Sequence, residues 1–377
     1  MRWGSLVPAI VATLWAYTVL RTRHATGRAI SILSFSCRIL SANPALLPLG
    51  FATLAATVIW TWLWTLMFTR VFLGGHLSMV NHIFIIDLGT WWLGAYFVLT
   101  HLWCLGVISG IQRAVTAATV SQWYFHRLIA PSPSSWQIVQ AAFSHSLGML
   151  FGTICLSSLL SLLIRLPLLI LPRRCASILS LAAYSCVPTP LVTLTNPLTI
   201  THASVHSLPL MISARSLSQL TFLTPEGAAA APHYRHAFAY ANDGNGGLAP
   251  YRMAKLFLHA NRLIMSLSLG FGGWVISARS LQIPGDGNTR GSMYAYVVGL
   301  VAGVIGWGVL GAIEGILAVI VDAAIICWAS EVGVEGREAR YCREAGEIFG
   351  SGQDELLMRQ THDIGECDAG ANSWRAF

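Results

Sequence analysis

Acidic residues are almost missing from the first two-thirds of this sequence: between Met1 and Pro225 the only carboxylate is Asp87. Lysine is scarcer still, since Lys255 is the single one in the chain. Charged residues make up 10% of the whole, where a soluble domain carries about 25%. An ionisable side chain is costly in hydrocarbon, so this shortage excludes an ordinary soluble fold and points to repeated membrane spans. Paired cysteine motifs are also absent. The eight cysteines stand at Cys37, Cys104, Cys155, Cys175, Cys186, Cys327, Cys342 and Cys367 without C-x-x-C or His/Cys spacing, so no metal centre is expected. There is no G-x-S-x-G, no P-loop and no H-E-x-x-H, which leaves no basis for an enzyme or a cofactor. The arginines are scattered singly between apolar blocks, which argues for loop and interface anchoring and against a nucleic-acid partner.

What the chain has is apolar length. It is 55% hydrophobic, with mean hydropathy +0.61. The runs Leu49–Phe72, Phe84–Ile111, Ala141–Leu171, Leu256–Ile276 and Ser292–Ile313 are each long enough to cross about 30 Å of hydrocarbon as a helix. Apolar character continues from the last run to Trp328. Leu6–Leu20 is a shorter apolar block ending at Arg21, Arg23 and Arg28, and Ala29–Leu40 is amphipathic. Ile178–Leu210 is broken by Pro188, Pro190, Pro197 and Pro209, which suits a re-entrant or interfacial segment. The expected fold is an all-α polytopic bundle with about six spans, or seven if the proline-broken block crosses. Two parts are expected: a transmembrane domain over 1–330 and a charged, partly helical tail over 331–377. The Arg21–Arg38 cluster argues for a cytosolic loop there, while the parity of spans leaves the orientation open.

Aromatic residues and intramembrane acids are the candidates for chemistry. A quaternary ammonium offers neither donor nor acceptor, but an aromatic face attracts it by about 2 kcal/mol when desolvated, and a carboxylate adds to this. Asp87 begins a span, and Glu314 lies within the last one. Each also has a structural reading: Asp87 as a helix cap, and Glu314 paired with an arginine across a helix contact. Asp322, about two turns beyond Glu314, suits an interfacial position. Gly299, Gly303, Gly311 and Gly315 recur at multiples of four around Trp307, a spacing that permits close helix approach in lipid. That helix either packs or lines a path with Glu314 facing it.

Between Thr100 and Arg127 the chain reads THLWCLGVISGIQRAVTAATVSQWYFHR, with Trp103 and Trp123 twenty positions apart and Tyr124 and Phe125 following. This segment resembles the choline transporter-like family through Trp103, Val107, Ile108, Trp123, Tyr124 and Phe125. Ser146, Gly148, Phe151 and Gly152 resemble a second family helix, LMISARS (Leu210–Ser216) a third stretch, and Asp322, Cys327, Trp328 and Glu331 a fourth. Two polar family positions are replaced here by Gly106 and Gly110. The resemblance implies a multi-pass plasma-membrane protein moving choline or an ethanolamine-like cation through the bilayer. It implies Trp103, Trp123 and Tyr124 as cage residues, with Asp87 or Glu314 as counter-charge, and a fall in choline uptake for Trp103→Ala. Met1 falls about halfway into the family plan, so the N-terminal spans are expected to be absent, through a truncated gene model or a reduced gene. A non-transporting scaffold or regulatory relative is the alternative. The oligomeric state is not readable.

Overall fold

The computed structural model describes residues 23–73, 76–77, 84–85, 88–127, 133–170, 194–219, 249–280, 291–335 and 340–349. Asp87 and the block Leu6–Leu20 lie outside them. In chain order the elements are α1 (Arg23–Ala42), α2 (Leu46–Leu73), β1 (His76–Leu77), β2 (Phe84–Ile85), α3 (Leu88–His126), α4 (Ser135–Gly148), α5 (Phe151–Ile170), α6 (Pro197–His206), α7 (Leu210–Gln219), α8 (Ala249–Ser280) and α9 (Gly291–Glu335). A short helix, α10 (343–349), follows. The strands form only a two-residue antiparallel ladder, and the fold is otherwise the expected all-α membrane bundle.

By length and composition three described helices can cross a membrane, over Leu46–Arg70, Trp92–His126 and Tyr294–Val332. The run expected over Ala141–Leu171 is bent by 67° between Gly148 and Phe151, so α4 and α5 together make one broken span or a re-entrant pair. Glycine is a weak helix former, and Gly148 is the last residue of α4 before the break. α4 begins firmly: the Ser134 hydroxyl accepts from the Gln137 N–H, and the Gln137 side chain accepts from the Ser134 N–H. α6 starts on Asn196 with Pro197 in its first turn and ends at Ser207, whose φ of 53° stops the helix.

Helix α2 shows how a polar residue survives in lipid. Thr57, Thr61 and Thr65 each donate to the carbonyl four residues back at 2.8 Å, and Thr53 donates to Gly50. Its other faces are apolar and exposed at Val58, Ile59, Trp62, Leu66 and Met67, as expected of a lipid-facing surface. Trp64 ties α2 to α3 by donating to the Phe97 carbonyl at 2.9 Å and stacking on His101.

Helix α9 organises the rest. Its 45 residues extend about 67 Å, more than twice the hydrocarbon thickness. The first half is exposed at Leu300, Val301, Val304 and Ile305, and its remaining side packs antiparallel along α8. The second half is the centre of the core. Ile316, Ile320, Ala323 and Cys327 meet Phe35, Ile39, Leu46, Val115, Val120 and Tyr124, while Val321, Ile325 and Ile326 meet Ala29, Ile32, Leu198, Leu217 and Ala254. The expected boundary at 330 falls inside α9, and residues 340–349 fold back onto the bundle, burying Cys342 and Ala345.

Candidate functional site

The α8–α9 contact is made close by glycine. A Cβ at Gly299 would stand 2.8 Å from the Gly270 carbonyl oxygen and 2.8 Å from Trp274 Cβ, so the two backbones touch there. Gly303 lies against Gly270 and Ser266, and the Ser266 hydroxyl donates to the Gly303 carbonyl at 2.9 Å. Four-residue steps drift by about 40° each on a 3.6-residue helix. Gly311 therefore meets Arg262, and Gly315 faces Gln112 of α3 instead of α8.

This close approach carries two ionic clusters on α9. The first is centred on Glu314, whose carboxylate is 15% exposed. Arg262 Nη1 donates to Glu314 Oε2 at 3.0 Å, and His259 Nδ1 lies 2.9 Å from Oε1. Arg262 Nε donates to the Trp307 carbonyl at 3.1 Å, and its Cζ stands 3.9 Å from the Trp307 ring centroid. The second is centred on Asp322, whose side chain is 1% exposed. Oδ1 accepts from the Tyr251 hydroxyl at 2.6 Å and lies 2.6 Å from Lys255 Nζ; Oδ2 accepts from Arg113 Nη1 at 2.8 Å. One buried carboxylate thus serves two cations from two other helices. A buried charge is tolerated only with this kind of partnering.

A cavity of about 220 Å3 opens beside the first cluster. Thr53 and Thr57 of α2, Ser109 and Gln112 of α3, Arg262 of α8, and Gly308 and Gly311 of α9 are among its walls. Its wall combines hydroxyl, amide and guanidinium groups with apolar side chains, and this polar share marks it as the candidate site. A larger hollow of about 270 Å3, against Val58, Ile59, Trp62 and Leu63, lies on the exposed face of α2 alone and has no polar wall.

The sequence candidates fall as follows. Glu314 stands beside the cavity, reaching it only through Arg262. Trp103, Trp123 and Tyr124 ride on the single helix α3, which separates the first two by about 30 Å, so they do not come together in one cage. The Trp103 indole donates to the Cys155 carbonyl at 3.1 Å, fastening α3 to α5. Trp123 packs edge-on against Phe35 with Arg127 over its ring. The buried Tyr124 donates to Glu331 Oε2 at 2.8 Å. Glu331 in turn accepts from the backbone N–H groups of Arg340 and of Tyr341, the latter at 2.8 Å, which seats the start of α10. Beyond the spans, burial pushes the Cys342 thiol up, leaving it neutral in the core. No group of His, Cys, Asp and Glu suited to a metal occurs among the described residues.

Gly106 and Gly110 have a geometric reason. A Cβ at Gly110 would lie 2.6 Å from Ile154 Cγ2, and one at Gly106 3.3 Å from Ser158 Cβ. A side chain at Gly110 would have to displace the Ile154 side chain, and one at Gly106 would crowd Ser158, so glycine lets α3 and α5 approach here. Arg113, Arg262, Lys255 and Tyr251 were not singled out from the sequence as site residues. An arginine inside the apolar run Leu256–Ile276 was the available signal for Arg262, and the lone lysine four residues after a tyrosine was that for Lys255.

Comparison with known proteins agrees with this architecture. The family model described as plasma-membrane choline transporter matches residues 6–332. The choline transporter-like protein ctl1 of Schizosaccharomyces pombe is 26% identical over 348 residues, covering 92% of this chain and 56% of that protein. The chain therefore spans about half the length of the curated relative it matches. With the multi-pass helical bundle on one side and a match over most of its length on the other, the chain belongs to the plasma-membrane choline transporter family.

Proposed function

We propose that this chain takes part in membrane transport of choline or a closely related organic cation. The observation that carries this reading is the partly polar cavity between α2, α3, α8 and α9, with an intramembrane carboxylate and an aromatic ring held behind its Arg262 wall. In this reading Glu314 is the counter-charge for the cation. The hydroxyls of Thr53, Thr57 and Ser109 and the Gln112 amide solvate its polar end. Trp103, Trp123 and Tyr124 act at a distance by fixing α3 against α5, α1 and α9. Helix rearrangement around the cavity then exposes the cation to the opposite side. The 1–330 portion carries the path, and the remainder is anchored to it through Glu331.

The test is uptake of radiolabelled choline by cells expressing the chain. Uptake is expected to rise above the empty-vector level, and Glu314→Gln is expected to reduce it by about tenfold, or 1.4 kcal/mol. Expression at the cell surface without any rise in uptake would favour a scaffold or regulatory role instead.

A further inference from the structure

We propose that Arg262 is a tethered competitor of the transported cation, occupying the binding position until a quaternary ammonium displaces it. This inference rests on the organic-cation reading above and adds the position of the ligand and the group that guards it.

Aromatic face and carboxylate are the two elements that hold a diffuse organic cation. Here both are present and both are already engaged by the same side chain. The Arg262 guanidinium lies over Trp307 at 3.9 Å and pairs with Glu314 at 3.0 Å. A guanidinium is planar, delocalised and weakly hydrated, which makes it a closer mimic of a quaternary ammonium than lysine is. Arg262 is also a wall of the cavity, whereas Trp307 and Glu314 are not. The guanidinium therefore stands between the cavity and the two groups that suit the ligand.

Gly311 keeps this position open. A Cβ there would lie 2.4 Å from the guanidinium, so α9 carries no side chain where the arginine sits. Withdrawing Arg262 joins the cavity to the face of Trp307 and to the Glu314 carboxylate. A choline entering there would place its methyl groups on the ring and its hydroxyl toward Ser109 and Gln112. His259, 2.9 Å from the other Glu314 oxygen, holds the carboxylate in place during the exchange. An occupant of the chain's own keeps Glu314 from standing uncompensated in the bundle when no substrate is present.

The experiment is equilibrium binding of radiolabelled choline to the purified full chain in detergent, with monodispersity checked by size-exclusion chromatography. Arg262→Gln is expected to tighten choline binding about tenfold, corresponding to 1.4 kcal/mol. Arg262→Lys keeps a cation for Glu314 but stacks less well, so it folds even where the glutamine variant does not. It is expected to tighten binding by a smaller factor. Trp307→Ala is expected to weaken binding about tenfold. Unchanged or weaker binding in both Arg262 variants, or wild-type affinity in Trp307→Ala, overturns the inference and leaves the transport reading standing. Absence of choline binding in the wild type and every variant overturns both.

Discussion

Asp322→Asn is expected to destabilise the folded chain by about 3–5 kcal/mol, the range for breaking a buried ion pair by removing one partner. The asparagine keeps the shape and can still accept from the Tyr251 hydroxyl. It removes the negative charge shared by Arg113 and Lys255, which approach it at 2.8 and 2.6 Å. Lys255 is 35% exposed and recovers some hydration, which places the loss nearer the lower end of the range. Thermal unfolding of the purified chain reads the effect. Adding Arg113→Gln removes one uncompensated cation, and the double variant is expected to regain part of the loss. An asparagine variant that melts with the wild type would show that the carboxylate contributes nothing to holding α3, α8 and α9 together.

Gly299→Leu is expected to open the α8–α9 contact, at a cost of about 3 kcal/mol, the upper end for overpacking a core position. The atoms in the way are the Gly270 carbonyl oxygen and Trp274 Cβ, and neither can rotate aside. Gly272 provides the control, because no atom lies within 4 Å of the place its Cβ would occupy. Gly272→Leu is expected to be tolerated or mildly stabilising, since leucine favours the helix by up to about 1 kcal/mol over glycine. Equal loss of monodisperse protein in both variants would show that the close approach at Gly299 is not what holds α8 against α9.

The fold class was legible because lipid enforces one simple rule: long apolar runs must be helices. Thus Leu49–Phe72 was recovered as α2 with its ends shifted by a few residues. The end of the next run was misplaced for a physical reason. Hydropathy stops at Gln112 and Arg113, but α3 continues to His126 because Asp322 and Thr201 satisfy that arginine from other elements. The break after Gly148 was hidden as well, since an apolar run looks the same whether straight or bent by 67°.

The site was legible in its parts and not in its assembly. Glu314 stood out as an acid in a span, and pairing with an arginine was one of its two readings, but nothing in the sequence identified Arg262, 52 positions away, as the partner. The aromatics followed the family pattern, yet their roles depended on neighbours. Trp103 is spent on a carbonyl of α5 and Tyr124 on Glu331. Trp307, which the sequence places only at the centre of the spaced glycines of α9, has its ring against the Arg262 guanidinium.

Three carboxylates of α9, Glu314, Asp322 and Glu331, bear on how this bundle can move. Glu314 is fastened to α8, Asp322 to α3 and α8, and Glu331 to α3 and to the segment leading into α10. A rod pinned at three points along its length resists rolling and sliding, so α9 is expected to act as the stator of the assembly. The contact that α2 makes with it is of another kind, the Ile316 side chain seated against Gly50, and greasy surfaces slip where ion pairs do not. Opening of the cavity is thus expected to fall to α2: spin labels across α8 and α9 should hold their separation when choline is added, while a pair across α2 and α9 should not.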